Sequence, residues 1–457
     1  MKKIKVGLLT MSDGRIYIHN EYEALNFQKQ HAIKAALEAT GVFEVVEGEH
    51  VINSNALAKQ EGIRLREQGV EVTVFNYTIW CYPQYTMVAQ NFAPGPYLLA
   101  AAGSLDQIGV SYERLWGDIA DPAVLEAMTS YLKAAAAVSR LKGLTFGNFG
   151  GRPLGMYTAA ANLTDWQKLF GIDVENIEQD DIIRAGDKAD PAEVEKAFAW
   201  LTEYVGRIEY DGQGLTPDKL RTQIRSYIGL RDIIAARQLD FVGIKAHGDL
   251  TDRYCTMDIA EALLNDPYDW NGPKEPTVAA TESDMDGALT MQLFKHLTGK
   301  PVLFADVRHY DKENGVWYFS NSGTHATYFA GASEDFRENL KNVSLLPETD
   351  YYPAGGASVH HFAKAGTVTL ARLARNNGQY YLTVVPAELV EFDREKMLQM
   401  GSTTTPAWPV AFARLKVSAD YFIRHFPCNH IHGVYGDHVE SLKNIAKILD
   451  IPVVVFE

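Results

Sequence analysis

The stretch from Asp266 to Asp311, DPYDWNGPKEPTVAATESDMDGALTMQLFKHLTGKPVLFADVRHYD, decides how the rest of the chain is read. Two apolar runs in it, TVAAT and PVLFA, have the length and composition of buried strands. Each is closed by a carboxylate, Glu282 and Asp306. Between them lies a helix-length segment, MDGALTMQLFKHLTG, for which Gly299 is a natural stop. The pattern is strand, carboxylate, helix, strand, carboxylate. Ligands of α/β sheets collect at the carboxyl ends of strands, so both acids are expected to face one crevice. A carboxylate there is costly unless it is paired, hydrogen-bonded or on a metal. A plainer reading stays open, in which Glu282 caps the next helix and Asp306 pairs with Arg308 or another base.

With 457 residues the chain is too long for one core, and two or three domains are expected. Lys and Arg number 43 against 58 Asp and Glu, a net charge of −15. That balance argues against a general nucleic-acid or anionic-membrane binder, and an anionic substrate would need cations placed locally. Cys81, Cys255 and Cys428 are widely spaced and odd in number, which implies no disulfide framework and a reducing, cytoplasmic setting. MKKIKVGLLTMSDGR reads as a first strand rather than a signal peptide, and no apolar stretch approaches a membrane span.

Residues 1–142 alternate strand and helix, as a parallel α/β unit does. KIKVGLLT, FEVVEGEHV, VEVTVFNYT and the region of GVSYERLW read as strands. The segments from Asn20 to Gly41, NALAKQEGIRLREQG and PGPYLLAAAG read as helices. Asp13-Gly14-Arg15 follows the first strand and Trp80-Cys81-Tyr82 the third, the places where ligand loops lie; a solvated turn and core packing are their plainer readings. A second α/β unit is expected over 143–298. It opens with GLTFGNFGG and Arg152, and a later strand, LDFVGIKAHGD, ends at Lys245 and His247. Its glycine loop lacks the spacing of a dinucleotide fingerprint or P-loop, so nucleotide binding is rejected. From 299 to 457 the texture changes to alternating β-branched and aromatic residues with an Asn377-Gly378 turn signal, an antiparallel module expected to close as a small β-barrel. Between that module and a final helix and strand lies CNHIHGVYGDHVE, with His430, His432, Asp437 and His438. Its spacing narrowly misses that of a binuclear metallohydrolase; in the plainer reading these histidines cap or pack.

With Glu282, Asp306 and His430 in hand, the chain resembles the L-fucose/L-arabinose isomerase family of ketol isomerases. The likeness is carried by Tyr268-Asp269-Trp270-Asn271-Gly272, Ala280-Thr281-Glu282, LTG at 297–299 and Phe304-Ala305-Asp306-Val307-Arg308. It extends to Asn321-Ser322-Gly323, Trp408-Pro409, Asn429-His430 and Ile451-Pro452-Val453. The resemblance implies two Rossmann-like domains and a C-terminal barrel domain. It also implies a Mn²⁺ site, or one for Mg²⁺ or another divalent cation, held by Glu282, Asp306 and His430. Glu282 and Asp306 then serve as the acid/base pair of a cis-enediol aldose–ketose isomerisation. Arg15, Trp80, Ser322, Trp408 and Asn429 fall where the family lines its sugar pocket. The resemblance further implies a homo-oligomer, a hexamer or a related multiple, in which the first domain completes a neighbour's site. A non-catalytic sugar receptor, which two such lobes could also build, predicts a signal peptide and needs no metal triad.

The departures from the family pattern lie in the substrate shell. Gly150-Gly151-Arg152-Pro153 stands where fucose isomerase has a neutral Gly-Gly-Val-Ser. Lys245-Ala246-His247 replaces Gln-Gly-Gln, and His360-His361 replaces Ser-Arg. Two added cations after strands of the second domain raise an alternative to a neutral deoxy sugar or pentose: sulfoquinovose, isomerised to 6-deoxy-6-sulfofructose, with Arg152 and Lys245 on the sulfonate.

Overall fold

A computed structural model describes residues 2–99 and 105–457. The chain forms two compact units, Met1–Lys142 with Glu440–Ile451, and Gly143–Val439 with Pro452–Glu457. In the first unit five parallel strands lie in the order Phe43–Glu47, Ile4–Met11, Val72–Tyr77, Tyr97–Leu99, Tyr112–Arg114. Ile4, Val6 and Leu8 pack with Leu37 and Leu132, while Leu9 and Met11 pack with Ala58 and Leu65. Alternate side chains of one strand thus enter cores on opposite faces, each covered by helices, as in a doubly wound sheet. Helices Ile16–Ala39 and Asn55–Glu67 form where the sequence pattern puts them. The helix expected over PGPYLLAAAG does not: Tyr97–Leu99 is a strand paired with Val72–Tyr77, and 100–104 lie outside the described residues. A central place in the sheet outweighs the helical preference of Leu, a common tertiary override of local propensity.

The second unit contains a four-stranded parallel sheet in the order Ala279–Thr281, Phe241–Ile244, Thr145–Phe149, Asp173–Ile177. The Met285–Thr298 helix follows the first of these, starting at the Asp284 cap and stopping at Gly299 in the left-handed conformation. The same unit holds a mostly antiparallel sheet, in the order Gly366–Asn376, His430–Tyr435, Leu303–Asp311, Val316–Ser320, Val410–Leu415, Gln379–Leu389, Val453–Val455. Gly366–Asn376 also pairs with Gln379–Leu389, so six strands join in a ring of pairings. The hairpin between those two strands turns on Asn377 and Gly378, at φ +50° and +79°. Positive φ at both central positions is the requirement of the tight hairpin turn that matches strand twist.

One expectation fails here in an informative way. Asp306 does not end a strand of the parallel sheet. Leu303–Asp311 runs on past it, through a bulge between Val307 and His309, and pairs antiparallel with Val316–Ser320 and His430–Tyr435. The apolar run before Asp306 looks like a parallel-sheet strand because it is buried, yet the aromatic and β-branched residues after it continue the pairing.

Candidate metal and acid–base centre

Two backbone features bring three side chains together within the second unit. Glu282 is the first residue beyond the Ala279–Thr281 strand. Glu282 and Ser283 both adopt left-handed backbone, φ +53° and +45°. Such conformations cost roughly 1–2 kcal/mol per non-glycine residue, so the surroundings must hold them. The Ser283 amide donates to Ile244 O at 2.9 Å, and its hydroxyl donates to Asn148 Oδ1 at 2.5 Å. The second feature is register: Asp306 lies directly opposite His430 on the neighbouring antiparallel strand.

The result is a cluster in which Glu282, Asp306 and His430 each offer one ligand atom, all within 4.8 Å of one another. His430 Nε2 lies 2.9 Å from Glu282 Oε2 and 3.2 Å from Asp306 Oδ1. Nε2 is buried and has hydrogen-bond alignment with neither oxygen. Its other nitrogen, Nδ1, is 2.7 Å from Asp284 Oδ2. His247 Nε2 meets the second oxygen of Glu282 at 3.1 Å. Burial by itself would raise the pKa of Glu282, but the imidazoles of His247 and His430 beside it outweigh burial and hold the group at about 2. Burial opposes charge on His430 as well, yet the carboxylates of Asp284, Asp306 and Glu282 hold its pKa well above the ordinary value.

Around this centre the remaining candidates divide. Ser322 is buried, its hydroxyl 3.1 Å from the Tyr352 hydroxyl; Tyr352 in turn packs against His247, ring centroids 5.8 Å apart. Trp408 is buried, with its indole N–H donating to Glu348 and its backbone carbonyl 3.0 Å from His360 Nδ1. The Arg308 guanidinium lies over the Trp408 ring at 4.8 Å and 3.7 Å from Asp306 Oδ2. Asp306 thus has the basic neighbour of the plainer reading while also facing His430. Asn429 is exposed, and its carbonyl accepts from the Val307 amide at 2.7 Å. Arg152 is exposed with its guanidinium over Tyr157 at 4.8 Å. Lys245 directly follows the Phe241–Ile244 strand, and its ammonium makes no ion pair among the described residues. Arg15 and Trp80 belong to the first unit, where they meet each other: the guanidinium lies 5.8 Å from the indole centroid and pairs with the buried Asp13 at 2.6 Å.

His432 is adjacent to the centre without joining it. Its Nε2 accepts from Arg372 Nη1 at 3.1 Å. Asp437 Oδ1 accepts the Val439 amide, and His438 Nε2 lies 3.2 Å from the Tyr435 carbonyl. Sequence reasoning missed Asp284, Arg372 and Tyr352. Asp284 sat in plain view as a helix cap, and an arginine inside the apolar run TVTLARLA is itself a sign of a buried ion pair.

Fold and centre together define an α/β protein whose antiparallel C-terminal sheet meets a carboxylate–imidazole centre. Comparison narrows the class. Three family models match in order: "L-fucose isomerase, first N-terminal domain" over residues 3–143, "second N-terminal domain" over 145–299, and "C-terminal domain" over 319–457. The chain belongs to the L-fucose isomerase family. Among curated relatives, L-fucose isomerase of Bacteroides thetaiotaomicron is 27% identical over 482 residues, 85% of this chain and 81% of the relative. That of Haemophilus influenzae is 22% identical over 549 residues, 99% and 92%. That of Citrobacter koseri is 25% identical over 510 residues, 90% and 85%. No helix among the described residues is long and apolar enough to cross a membrane.

Proposed function

We propose that this chain is a metal-dependent aldose–ketose isomerase of the L-fucose isomerase type, acting on a neutral deoxy sugar or pentose. The observation that carries the reading is the convergence of Glu282, Asp306 and the unpartnered Nε2 of His430 on one point. Two carboxylate oxygens and one imidazole nitrogen suit a hard-to-borderline divalent cation such as Mn²⁺ or Mg²⁺. Such an ion supplies Lewis-acid polarisation of the sugar carbonyl when bound. Glu282 and Asp306 each keep part of their side-chain surface exposed, 16% and 15%. One carboxylate takes the proton from C2 and returns it to C1; the other moves the proton between the two hydroxyl oxygens, through a cis-enediol. His247 steadies the second Glu282 oxygen. Ser322 and Tyr352 offer hydroxyls to sugar oxygens, and Arg308 sets the Asp306 carboxylate.

The ring of six strand pairings supports reading the C-terminal sheet as the family's small barrel. The exposed Arg15–Trp80 pair supports a homo-oligomer in which the first unit lines a neighbour's pocket. The sulfoquinovose alternative gains nothing from the relatives, which are named for L-fucose, nor from Arg152, whose guanidinium stacks on Tyr157. The test is NMR of aldose–ketose interconversion by metal-stripped and Mn²⁺-reconstituted protein. L-fucose, D-arabinose, L-arabinose and sulfoquinovose are run side by side. Mn²⁺-dependent turnover of a neutral sugar is the expected result; turnover of sulfoquinovose alone, or none with any metal, overturns the reading.

A further inference from the structure

Behind His430 the contacts continue into the protein interior in an ordered line. Asp284 is fully buried, and its carboxylate touches three groups besides solvent-free packing. Oδ2 meets His430 Nδ1 at 2.7 Å. Oδ1 accepts the Gly287 amide at 3.0 Å, capping the Met285–Thr298 helix. The Arg372 guanidinium grips both oxygens, Nη2 to Oδ1 at 2.9 Å and Nη1 to Oδ2. Arg372 is itself 1% exposed and is fixed from two more sides, by the Thr158 carbonyl at 2.8 Å and by His432 Nε2 at 3.1 Å.

We propose that Arg372 and Asp284 are positioning residues for metal binding: Arg372 grips and orients the Asp284 carboxylate, which holds the proton of His430 on Nδ1 and so presents the Nε2 lone pair to the cation between Glu282 and Asp306. This rests on the proposed metal-dependent reading. The physical reason lies in the two ring nitrogens. An imidazole can ligate through Nε2 only if its proton sits on Nδ1, and a carboxylate behind Nδ1 enforces that tautomer and raises ligand basicity. A bidentate guanidinium sets the carboxylate plane as well as its charge, which a point charge does not. His432 has its Nε2 committed as an acceptor to Arg372. It therefore serves the arginine's orientation and is withheld from the metal.

The experiment is Mn²⁺ titration of the folded apo protein, read by EPR of the free ion, on wild type, His430→Asn, Asp284→Asn, Arg372→Met and Arg372→Lys, with apo melting temperatures measured alongside. Outer carboxylate partners typically set ~10–100-fold in metal affinity. The Asp284→Asn and Arg372→Met variants are each expected to weaken Mn²⁺ binding by about that factor. Arg372→Lys should recover part of the loss. The double variant Asp284→Asn/Arg372→Met should lose less than the product of the two single losses, because the residues act as one unit. A purely structural role would lower the apo melting temperature and leave Mn²⁺ affinity unchanged. Wild-type-like affinity, within about twofold, in a folded Asp284→Asn protein therefore overturns the proposal, as does undiminished affinity in folded Arg372→Met. Failure of the underlying reading looks different: the wild type itself binds no Mn²⁺, or His430→Asn binds it as well as the wild type.

Discussion

Replacing Glu348 with glutamine should stabilise the protein at alkaline pH and do so progressively less as the solution is acidified. Glu348 is 1% exposed; one carboxylate oxygen accepts the Trp408 indole N–H, and the other has no partner. Burial pushes its pKa from 4.5 up to about 7, against the opposing pull of the Trp408 hydrogen bond. Its neighbour Asp258 is buried and is pushed well above the carboxylate range by burial and by Glu348 itself, so Glu348 is the member of the pair that titrates near neutrality. The folded state then holds a proton on Glu348 between about pH 4.5 and 7 that the unfolded state has released, and stability must fall as pH rises through that window. The difference of 7 − 4.5 = 2.5 corresponds, at about 1.36 kcal/mol per pH unit, to about 3 kcal/mol of stability lost by the wild type above neutrality. Glutamine keeps a carbonyl for the indole and cannot ionise. Urea unfolding of both proteins, followed by tryptophan fluorescence from about pH 5 to about pH 8, should show the variant's advantage growing by up to that amount. An advantage that does not change with pH would refute the reasoning, because it would place the proton on Glu348 identically in folded and unfolded chains.

Glu282→Gln and Asp306→Asn should each lower the turnover number for the accepted sugar by ~10²–10⁴-fold, the usual worth of a proton-transfer partner, as measured by NMR at saturating Mn²⁺. His430→Asn should abolish tight Mn²⁺ binding in a calorimetric titration, whereas His432→Asn should retain it, since the His432 Nε2 is engaged by Arg372; the reverse outcome would revive a metallohydrolase-like ligand set. Gly323→Ala should destabilise by about 1–3 kcal/mol in denaturant unfolding, because a Cβ there would collide with the carboxylate end of Glu261, which is fully buried and must shift to admit it.

Glu282 and Asp306 stood out in the sequence as carboxylates closing apolar runs, whereas His430 was singled out from its histidine cluster only by the family resemblance. The strand that His430 opens was not expected from the sequence. What could not be read is the partnership between strands far apart in sequence. Asp306 faces His430 through antiparallel register across 124 residues, and periodicity within either strand does not reveal which strand it pairs with. The same limit hid Arg372, which reaches Asp284 from a strand 88 residues further along the chain, and Tyr352, which meets Ser322 from an irregular segment. Tyr97–Leu99 was misread for the opposite reason: its local preference is helical, and only its neighbours in the sheet make it a strand.

The paired left-handed residues explain why the centre can be built from such short spacing. In a straight strand Glu282 and Asp284 would point to the same face, side by side, and two carboxylates so placed would repel. The reversal at Glu282 and Ser283 turns the chain between them. Glu282 then meets Nε2 of His430 while Asp284 meets Nδ1, so one imidazole is held from both ends by carboxylates two residues apart. The backbone cost is carried by buried hydrogen bonds from Ser283 to Ile244 and Asn148 and by the helix cap at Asp284. The strain, the cap and the ligand geometry are therefore one construction. A substitution that relaxes the turn must alter both contacts of His430 together, and this separates a chelating turn from a helix that merely happens to start near a functional glutamate.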